Sequence, residues 1–359
     1  MRYLNTKTDK PISKIGLGTW QFGSPEWNYG AQYASVDARA IVARALDLGV
    51  TLFDTAEIYG MAAKSWTCRG LVRGVAVGDP TRAEGFGRSE RILGEALGER
   101  AGQAFVATKF YPTVPQRPSI GRRAASSADR LGVPAIDLFQ IHQPRLGVAR
   151  RGVMDAVRVL QHLECIAEVG LSNATVEAWR AADDALGAPV LSNQVAYSLV
   201  DRAAEEELLP FAEANDRVII AFSPLAQGLL SGRYGRGRRP ANAARLASPL
   251  FSDENLDRAT RLLDTLRAVA DAHGATPAQV ALAWVIRRPG VAAIPGAASV
   301  EQLEHNVAAA DLDLRDDEDE VLTAASNAFR PVIPTPTLRQ RVARIGREIV
   351  SRPGHKDDT

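Results

Sequence analysis

The feature that most narrows the fold is an alternation repeated along most of the chain. Short apolar runs ending in a polar residue are separated by longer segments with helical spacing. Such runs predict strands at Lys14–Thr19, Val50–Asp54, Ala104–Lys109, Ile136–His142, Ile166–Ser172, Val190–Gln194, Val218–Phe222 and Val291–Ile294. Between them, a helix at Val36–Leu48 places Ile41, Ala45 and Leu48 on one face, with Ser35 as its cap. Further helices are expected at Ser89–Leu97, Glu205–Ala214, Leu256–Ala272, Pro277–Arg287 and Val300–Ala308. Thr276 precedes Pro277 as a cap followed by a proline in the first turn. Strands that alternate with helices pair in parallel through right-handed crossovers. Eight such units predict a closed (β/α)8 TIM barrel, read as a single domain over residues 1–330, with a C-terminal helix and tail at 331–359. An open doubly wound sheet is the alternative, but it calls for a GxGxxG after an early strand, and none appears there.

Composition narrows the function classes. A formal net charge of +1 over 359 residues gives no field that would draw nucleic acid or an acidic membrane. No apolar run approaches the roughly 20 residues needed to span a bilayer. The first residues, MRYLNTKTDKPISKIG, lack the apolar stretch of a signal peptide. Cys68 and Cys165 belong to no CxxC or Cys/His cluster, so neither a disulfide scaffold nor a metal site is expected. The cytoplasm is the default location, and the chain is read as a monomer or homo-oligomer.

Two stretches break the regularity, Met61–Gly85 after the second strand and Ser231–Asp253 after the seventh. Loops of that length are uncommon in compact domains unless they serve a function or are disordered. Both would lie at the carboxyl end of the strands, where barrels of this type keep their active sites. In the tail, Leu338, Val342, Ile345 and Ile349 share one face of an amphipathic helix, expected to pack on the barrel or to border the substrate mouth.

Four polar residues stand at or just beyond strand ends: Asp54, Tyr59, Lys109 and His142. Taken singly, each has an ordinary structural use, as a cap, a loop residue or a rim histidine. Lys109 is the hardest to explain that way, because no other lysine occurs between Lys64 and Lys356 in an arginine-rich chain. A lysine there suggests a need for a compact ammonium with an adjustable pKa. Together the four suit hydride reduction of a carbonyl. Negative charge builds on oxygen and must be protonated, and a tyrosine of pKa about 10 is a weak acid unless an ammonium favours its phenolate. Asp54 would hold Lys109 in place, and His142 would donate a hydrogen bond to the substrate oxygen.

With these residues the chain resembles the aldo-keto reductase superfamily, in its bacterial branch similar to potassium-channel β subunits. The motifs are GLGTW (Gly16–Trp20), FDTAEIYG (Phe53–Gly60), GRSERILGEAL (Gly87–Leu97), DLFQIHQP (Asp137–Pro144), GLSN (Gly170–Asn173), SNQVAYSL (Ser192–Leu199), AFSPLAQGLLSGRY (Ala221–Tyr234) and IPGAASVEQLEHN (Ile294–Asn306). The resemblance covers about Ile12 to Phe329 and implies that Asp54, Tyr59, Lys109 and His142 are the catalytic tetrad of a reductase of aldehydes or ketones. By the same resemblance Ser172, Asn173 and Gln194 hold the nicotinamide carboxamide, and Phe222 stacks on its ring. Ser223, Pro224, Leu225 and Gly228 form the pyrophosphate turn, with Arg233 where a lysine is frequent. Pro295, Gly296, Ala298, Gln302 and Asn306 meet the adenosine end. Gly18, Thr19 and Trp20 border the cofactor with Asp54, and Trp20 also lines the substrate pocket. The family's usual cofactor is NADP(H). NAD(H) is also expected to serve, because Ala298 stands where NADP-preferring relatives often carry Arg or Lys. The other departure is the Met61–Gly85 segment, at a place where Tyr59-Gly60 and Phe86-Gly87 are nearly adjacent in close relatives; an insertion there could form a lid, obstruct the pocket or displace Tyr59. The resemblance leaves two other readings open, a nicotinamide-binding regulatory or redox-sensing subunit with little turnover and an enzyme disabled by the insertion.

Overall fold

The computed structural model describes residues 1–24, 35–61, 85–111, 117–142 and 151–332. Each apolar run becomes a strand: β1 Leu17–Gly18, β2 Leu52–Asp54, β3 Phe105–Phe110, β4 Ile136–Ile141, β5 Ile166–Ser172, β6 Ser192–Ala196, β7 Val218–Phe222 and β8 Val291–Ala293. All neighbours pair in parallel, in chain order from β1 to β8. The ends of the sheet meet. Ala293 N donates to Lys14 O at 2.8 Å, Gly16 N to Ala293 O at 2.8 Å and Gly18 N to Pro295 O at 3.1 Å. This parallel β/α arrangement therefore curls until its last strand bonds to its first.

The period of two along each strand sorts side chains between the interior and the helices. Leu52, Phe105, Ala107, Leu138, Val218, Ile220, Ala292 and Ile294 pack into one buried cluster inside the ring. Leu4 and Ile12 complete that cluster from a pair of antiparallel segments, where Leu4 N donates to Ile12 O at 2.8 Å. Continuing the same alternation upward leads to Asp54 on β2, Lys109 on β3, Gln140 on β4, Ser172 on β5 and Gln194 on β6, all buried. The interior thus changes from apolar at its amino end to polar at its carboxyl end.

Several boundaries differ from the sequence expectation for local reasons. The helix expected at Glu205–Ala214 divides into a 3-10 turn at Ala203–Glu205 and a helix at Leu208–Ala214. Pro210 explains the division, since a helical proline excludes the carbonyl four residues back and is tolerated only in the first turn. Strand β6 starts at Ser192 rather than Val190, because the Val190 amide donates to Asp183 Oδ1 at 2.6 Å and its carbonyl accepts from Trp179 Nε1 at 3.1 Å. The first helix begins at Ser35 itself instead of after it. At Pro277–Ile286 the expected cap is present as a reciprocal pair of hydrogen bonds between Thr276 and Gln279.

The Ser231–Asp253 stretch is built rather than structureless. It contains a short helix at Ala243–Leu246 and a 3-10 turn at Pro249–Phe251. Phe251 is fully buried against Tyr234, ring centroids 5.3 Å apart. The expected tail helix lies outside the described residues. Val332, just before it, is held by paired hydrogen bonds with Asn255 of 2.7 and 2.9 Å. No helix among the described residues is long and apolar enough to cross a membrane.

Most of the Met61–Gly85 segment also lies outside the described residues, but its two ends are informative. A Cβ placed on Gly85 would fall 2.1 Å from Gly60 O, and both glycines have positive φ, +94° and +82°. The chain therefore departs and returns at one point. Joining Gly60 directly to Gly85 keeps the carbonyl that accepts from Arg88 N at 3.1 Å. Because closure entropy changes slowly with loop length, this deletion should leave the cooperative unfolding transition within about 1 kcal/mol of the parent in urea. A broad or multistate transition would show instead that the segment contributes to the core.

Candidate active site

Each of the four candidate residues is placed by backbone pairing at the carboxyl end of the sheet. Asp54 closes β2, and the turn after it is held by Thr55 N donating to Ala107 O at 2.9 Å and Glu57 N to Lys109 O at 3.2 Å. Tyr59 follows on a turn closed by its own N donating to Ala56 O at 3.0 Å. That turn is tied to the helix Arg88–Leu97 by Gly87 N donating to Glu57 O (2.6 Å) and Ser89 N to Tyr59 O (3.3 Å). His142 extends β4 by one residue, its N donating to Phe110 O at 3.0 Å.

These elements bring the four side chains together. The Lys109 ammonium is fully buried and donates three hydrogen bonds, to Asp54 Oδ1 at 2.6 Å, Thr55 O at 2.8 Å and Tyr59 Oη at 3.1 Å. Its Nζ lies 4.8 Å from the centre of the Tyr59 ring. His142 meets Tyr59 edge-on, ring centroids 5.8 Å apart, while Trp20 and Tyr111 add rings at 6.4 Å from Tyr59 and 6.2 Å from His142. Trp20 is half exposed, so one wall of this aromatic mouth faces solvent. Tyr59 is not displaced by the segment that follows it: its hydroxyl is within hydrogen-bond distance of Lys109.

The electrostatics follow from this burial. Desolvation works against the Lys109 ammonium, but Asp54 and Tyr59 more than offset it and hold its pKa above the usual lysine value. Burial pushes the Tyr59 phenol up, and Lys109 opposes without reversing the shift. The phenol therefore keeps its proton at neutral pH, whereas the sequence reading expected the ammonium to prevail and lower the pKa. His142 is driven down to about 3, chiefly by burial and further by the Lys109 charge, so its imidazole is neutral. Its Nδ1 is buried without a hydrogen-bond partner among the described residues.

Three residues of the site, Gln140, Glu57 and Tyr111, were not legible as such in the sequence. Gln140 and Gln194 both donate to Asp54 Oδ2, at 3.2 and 2.7 Å, so this carboxylate carries donors on both oxygens. Gln140 stands two residues before His142 on the same strand face, and that spacing was an available signal. Behind the Tyr59 turn, buried Glu57 pairs with Arg123 and accepts from Tyr111 N at 2.7 Å. Nothing local in the sequence links Glu57 to a residue 66 positions away. Tyr111 enters the mouth because it follows Lys109 by two.

The residues assigned to a cofactor occupy the same end of the sheet. Asn173 has a left-handed backbone (φ 63°) that turns its Nδ2 onto Ser172 Oγ at 2.9 Å. Phe222 closes β7, followed by a turn in which Ser223, Ala226, Gln227 and Gly228 all have positive φ, at 51°, 48°, 57° and 96°. Three non-glycine residues in that region cost on the order of 1 kcal/mol each or more, a strain typical of ligand-binding turns. Gln227 Oε1 is buried there without a partner among the described residues, an acceptor suited to a hydroxyl rather than a phosphate. Arg233 is exposed beyond the turn, and Pro224 is buried within it. Past β8, Ala298 N donates to Gln302 Oε1 at 3.0 Å, Ser299 caps the helix Val300–Ala308, and Asn306 Nδ2 donates to Gly296 O at 3.3 Å. Gly18 and Thr19 are buried, and the Thr19 hydroxyl is committed to Asp54 O (2.9 Å) and Ser89 Oγ (2.9 Å). A strained backbone turn, an orphaned acceptor and the bonded Ser172–Asn173 pair on one rim fit a dinucleotide.

Comparison with known proteins agrees with this arrangement. The chain is 49% identical over 348 residues to an uncharacterized oxidoreductase of Mycobacterium tuberculosis, covering 96% of this chain and all of the relative. It is 28% identical over 335 residues to the NADH-specific methylglyoxal reductase of Escherichia coli, covering 86% and 93% of the two chains. Among solved structures, the glycerol dehydrogenase of Gluconobacter oxydans superimposes with a TM-score of 0.74 at 26% identity, covering 94% and 98%. An aldo/keto reductase of Klebsiella pneumoniae in complex with NADP and acetate superimposes with a TM-score of 0.66 at 27% identity, covering 93% and 97%. Residues 14–327 match the profile of the aldo/keto reductase family, and the chain belongs to that family.

Proposed function

We propose that the protein reduces aldehydes or ketones to alcohols with NADPH or NADH, Tyr59 supplying the proton. The observation that carries this reading is the buried Lys109 ammonium, 2.6 Å from Asp54 and 3.1 Å from the Tyr59 hydroxyl. A reduced nicotinamide held by Ser172, Asn173, Gln194 and Phe222 would supply the hydride. The substrate oxygen is received between Tyr59 Oη and the neutral His142, which donates from one ring nitrogen and orients the carbonyl. As charge develops on that oxygen, the phenol transfers its proton there, and Lys109 stabilises the phenolate left behind. Asp54 and Thr55 O keep the ammonium aimed at the hydroxyl throughout. Trp20 and Tyr111 flank the entry, so small carbonyls able to lie between aromatic faces are the first substrates to assay. Methylglyoxal, the substrate in the name of the Escherichia coli relative, is one of them.

Replacing Tyr59 with Phe should leave nicotinamide affinity within about twofold and lower kcat by roughly a hundredfold or more, since general acid catalysis is lost. Parent kcat/KM for reduction should stay level from about pH 5 to 9. Over that range His142 is already neutral, its charged form appearing only near pH 3 and below. Tyr59 still holds its proton, because its pKa lies above the ordinary tyrosine value. Near-normal turnover in Tyr59→Phe, or a break in the parent profile near pH 6.5, would sink this mechanism.

Cofactor choice depends on the rim beyond β8. By the family resemblance, relatives that prefer NADPH often place a cation where Ala298 stands, and a charge-assisted bond there contributes about 1.5–3 kcal/mol. Here the neighbouring Gln302 and Ser299 are engaged in capping the helix Val300–Ala308, and its first turn carries Glu301, which opposes a 2′-phosphate. Both cofactors should therefore work, with NADPH favoured by less than about tenfold in kcat/KM. Ala298→Arg should move the ratio towards NADPH, more so at low salt. A parent preference above about a hundredfold would mean that another cation reaches the phosphate.

A further inference from the structure

We propose that a phosphate dianion binds at the amino end of the barrel, in a cavity beneath the seam where β1 and β8 close the ring. Its ligands are the Lys14 ammonium and the guanidinium groups of Arg2 and Arg287. The site lies at the opposite end of the sheet from the Tyr59 mouth and takes no part in the carbonyl chemistry.

Backbone pairing sets the charges together. Tyr3 and Ser13 form an antiparallel bridge, and Lys14 N donates to Arg2 O at 2.9 Å, so Arg2 and Lys14 stand directly across from one another. Like charges in that relation repel and weaken the pairing. Lys14 O also accepts from Ala293 N at 2.8 Å, which ties both cations to the closing strands. Arg287 joins them from the short connection between the helix Pro277–Ile286 and β8. The three side chains line a cavity of about 440 Å³ together with Arg288 and, among the described residues, a single carboxylate, Asp313.

Lys14 is the cation left without compensation. It is partly buried, and its ammonium donates to Ile286 O at 2.7 Å and to no carboxylate among the described residues. Burial and the neighbouring Arg2 charge both push its pKa below the usual lysine value. The two other ligands have acids on their solvent side. Arg2 pairs with Asp313 at 2.5 Å and Arg287 with Asp316, carboxylates whose side chains are 83% and 91% exposed. Exposed pairs of this kind contribute little, so each guanidinium can turn a donor to a ligand at small cost. Arg288 is held by Asp319 at 3.4 Å and supplies charge rather than a contact.

Phosphate is the anion that suits these groups. Lys14 offers a compact ammonium, and each arginine offers a planar fork that matches two oxygens. Two negative charges answer a lining in which cations outnumber the carboxylate. The cavity is roomier than a bare phosphate needs, and Ile286, Leu312 and Leu314 give the remainder an apolar wall. A phosphomonoester and the free ion therefore share the chemistry of the site.

The test is calorimetric titration of the full chain with inorganic phosphate and, separately, phenyl phosphate. Ionic strength is fixed and the pH is about 8, where phosphate groups are mainly dianionic. Saturable binding is expected. Lys14→Met should weaken it about tenfold or more, because a charge-assisted bond is lost. Asp313→Asn should tighten it about two- to fivefold by releasing Arg2, a gain that a merely structural change would not produce. If Lys14→Met does not fold, Arg2→Gln at the exposed pair takes its place, with an expected loss of about threefold or more. Tighter binding of phenyl phosphate would support a monoester as the ligand, and equal affinities would support the free ion. No binding of either probe, or affinities unchanged by these substitutions, would overturn the site. So would loss of the phosphate signal on saturation with NADH, which would put the anion on the carboxyl rim instead.

Discussion

A lysine ammonium with no exposed surface has to be compensated on every side, and much of the upper half of this barrel is arranged around that requirement. Lys109 spends its three N–H donors on a carboxylate, a backbone carbonyl and a phenol. Removing one partner of such a buried pair costs about 3–5 kcal/mol, because the remaining charge is left without compensation. Asp54 must therefore end β2 at that height, and the turn after it must bring Thr55 O and Tyr59 Oη to the same nitrogen. The Tyr59 turn is in turn anchored by Gly87 and Ser89 at the start of the next described helix and backed by the Glu57–Arg123 pair. The charge held against the Tyr59 phenol also prescribes the local fold.

Burial acts oppositely on the members of this cluster, and that divides their roles. Lys109 is kept charged because its partners outweigh desolvation, while His142, which faces the same ammonium without an opposing carboxylate among the described residues, is kept neutral. Tyr59 sits between, its phenol protected by burial and its phenolate supported by Lys109. A neutral imidazole and a protonated phenol thus share the mouth without adding a second positive charge to it. The arrangement suits a reaction whose developing charge is negative and transient.

Much of this was legible because a parallel barrel writes its topology as a repeated pattern. Eight apolar runs with polar ends were enough to locate the eight strands found among the described residues, and the solitary lysine at 109 stood out against an arginine-rich background. Strand ends were harder, as Val190 shows, since its hydrogen bonds go to Asp183 and Trp179 on a helix that no strand pattern reports. Glu57 and Arg123 looked like ordinary charges until the fold buried them together. The direction of the Tyr59 shift depends on desolvation and the Asp54 charge working against one ammonium, and residue order carries no measure of that balance. Gln140 was the avoidable omission, because its parity with Leu138 and His142 already placed it inside the ring.

The interior also shows how such a site coexists with a stable barrel. Below, Leu4 and Ile12 close an apolar layer with Phe105, Leu138 and Ile220, needing no polar satisfaction at all. Above, the buried polar groups bond mainly to one another, with Asp54 linking residues from β3, β4 and β6. Buried polar groups destabilise when unpaired and specify one arrangement when paired, so this layer sets the strand register as well as the chemistry. Among the described residues, the unpartnered buried side-chain atoms include His142 Nδ1 and Gln227 Oε1. Both belong to the carboxyl rim, where an incoming ligand can supply what the protein's own groups do not. The apolar floor carries stability that does not depend on the hydrogen bonding of the rim.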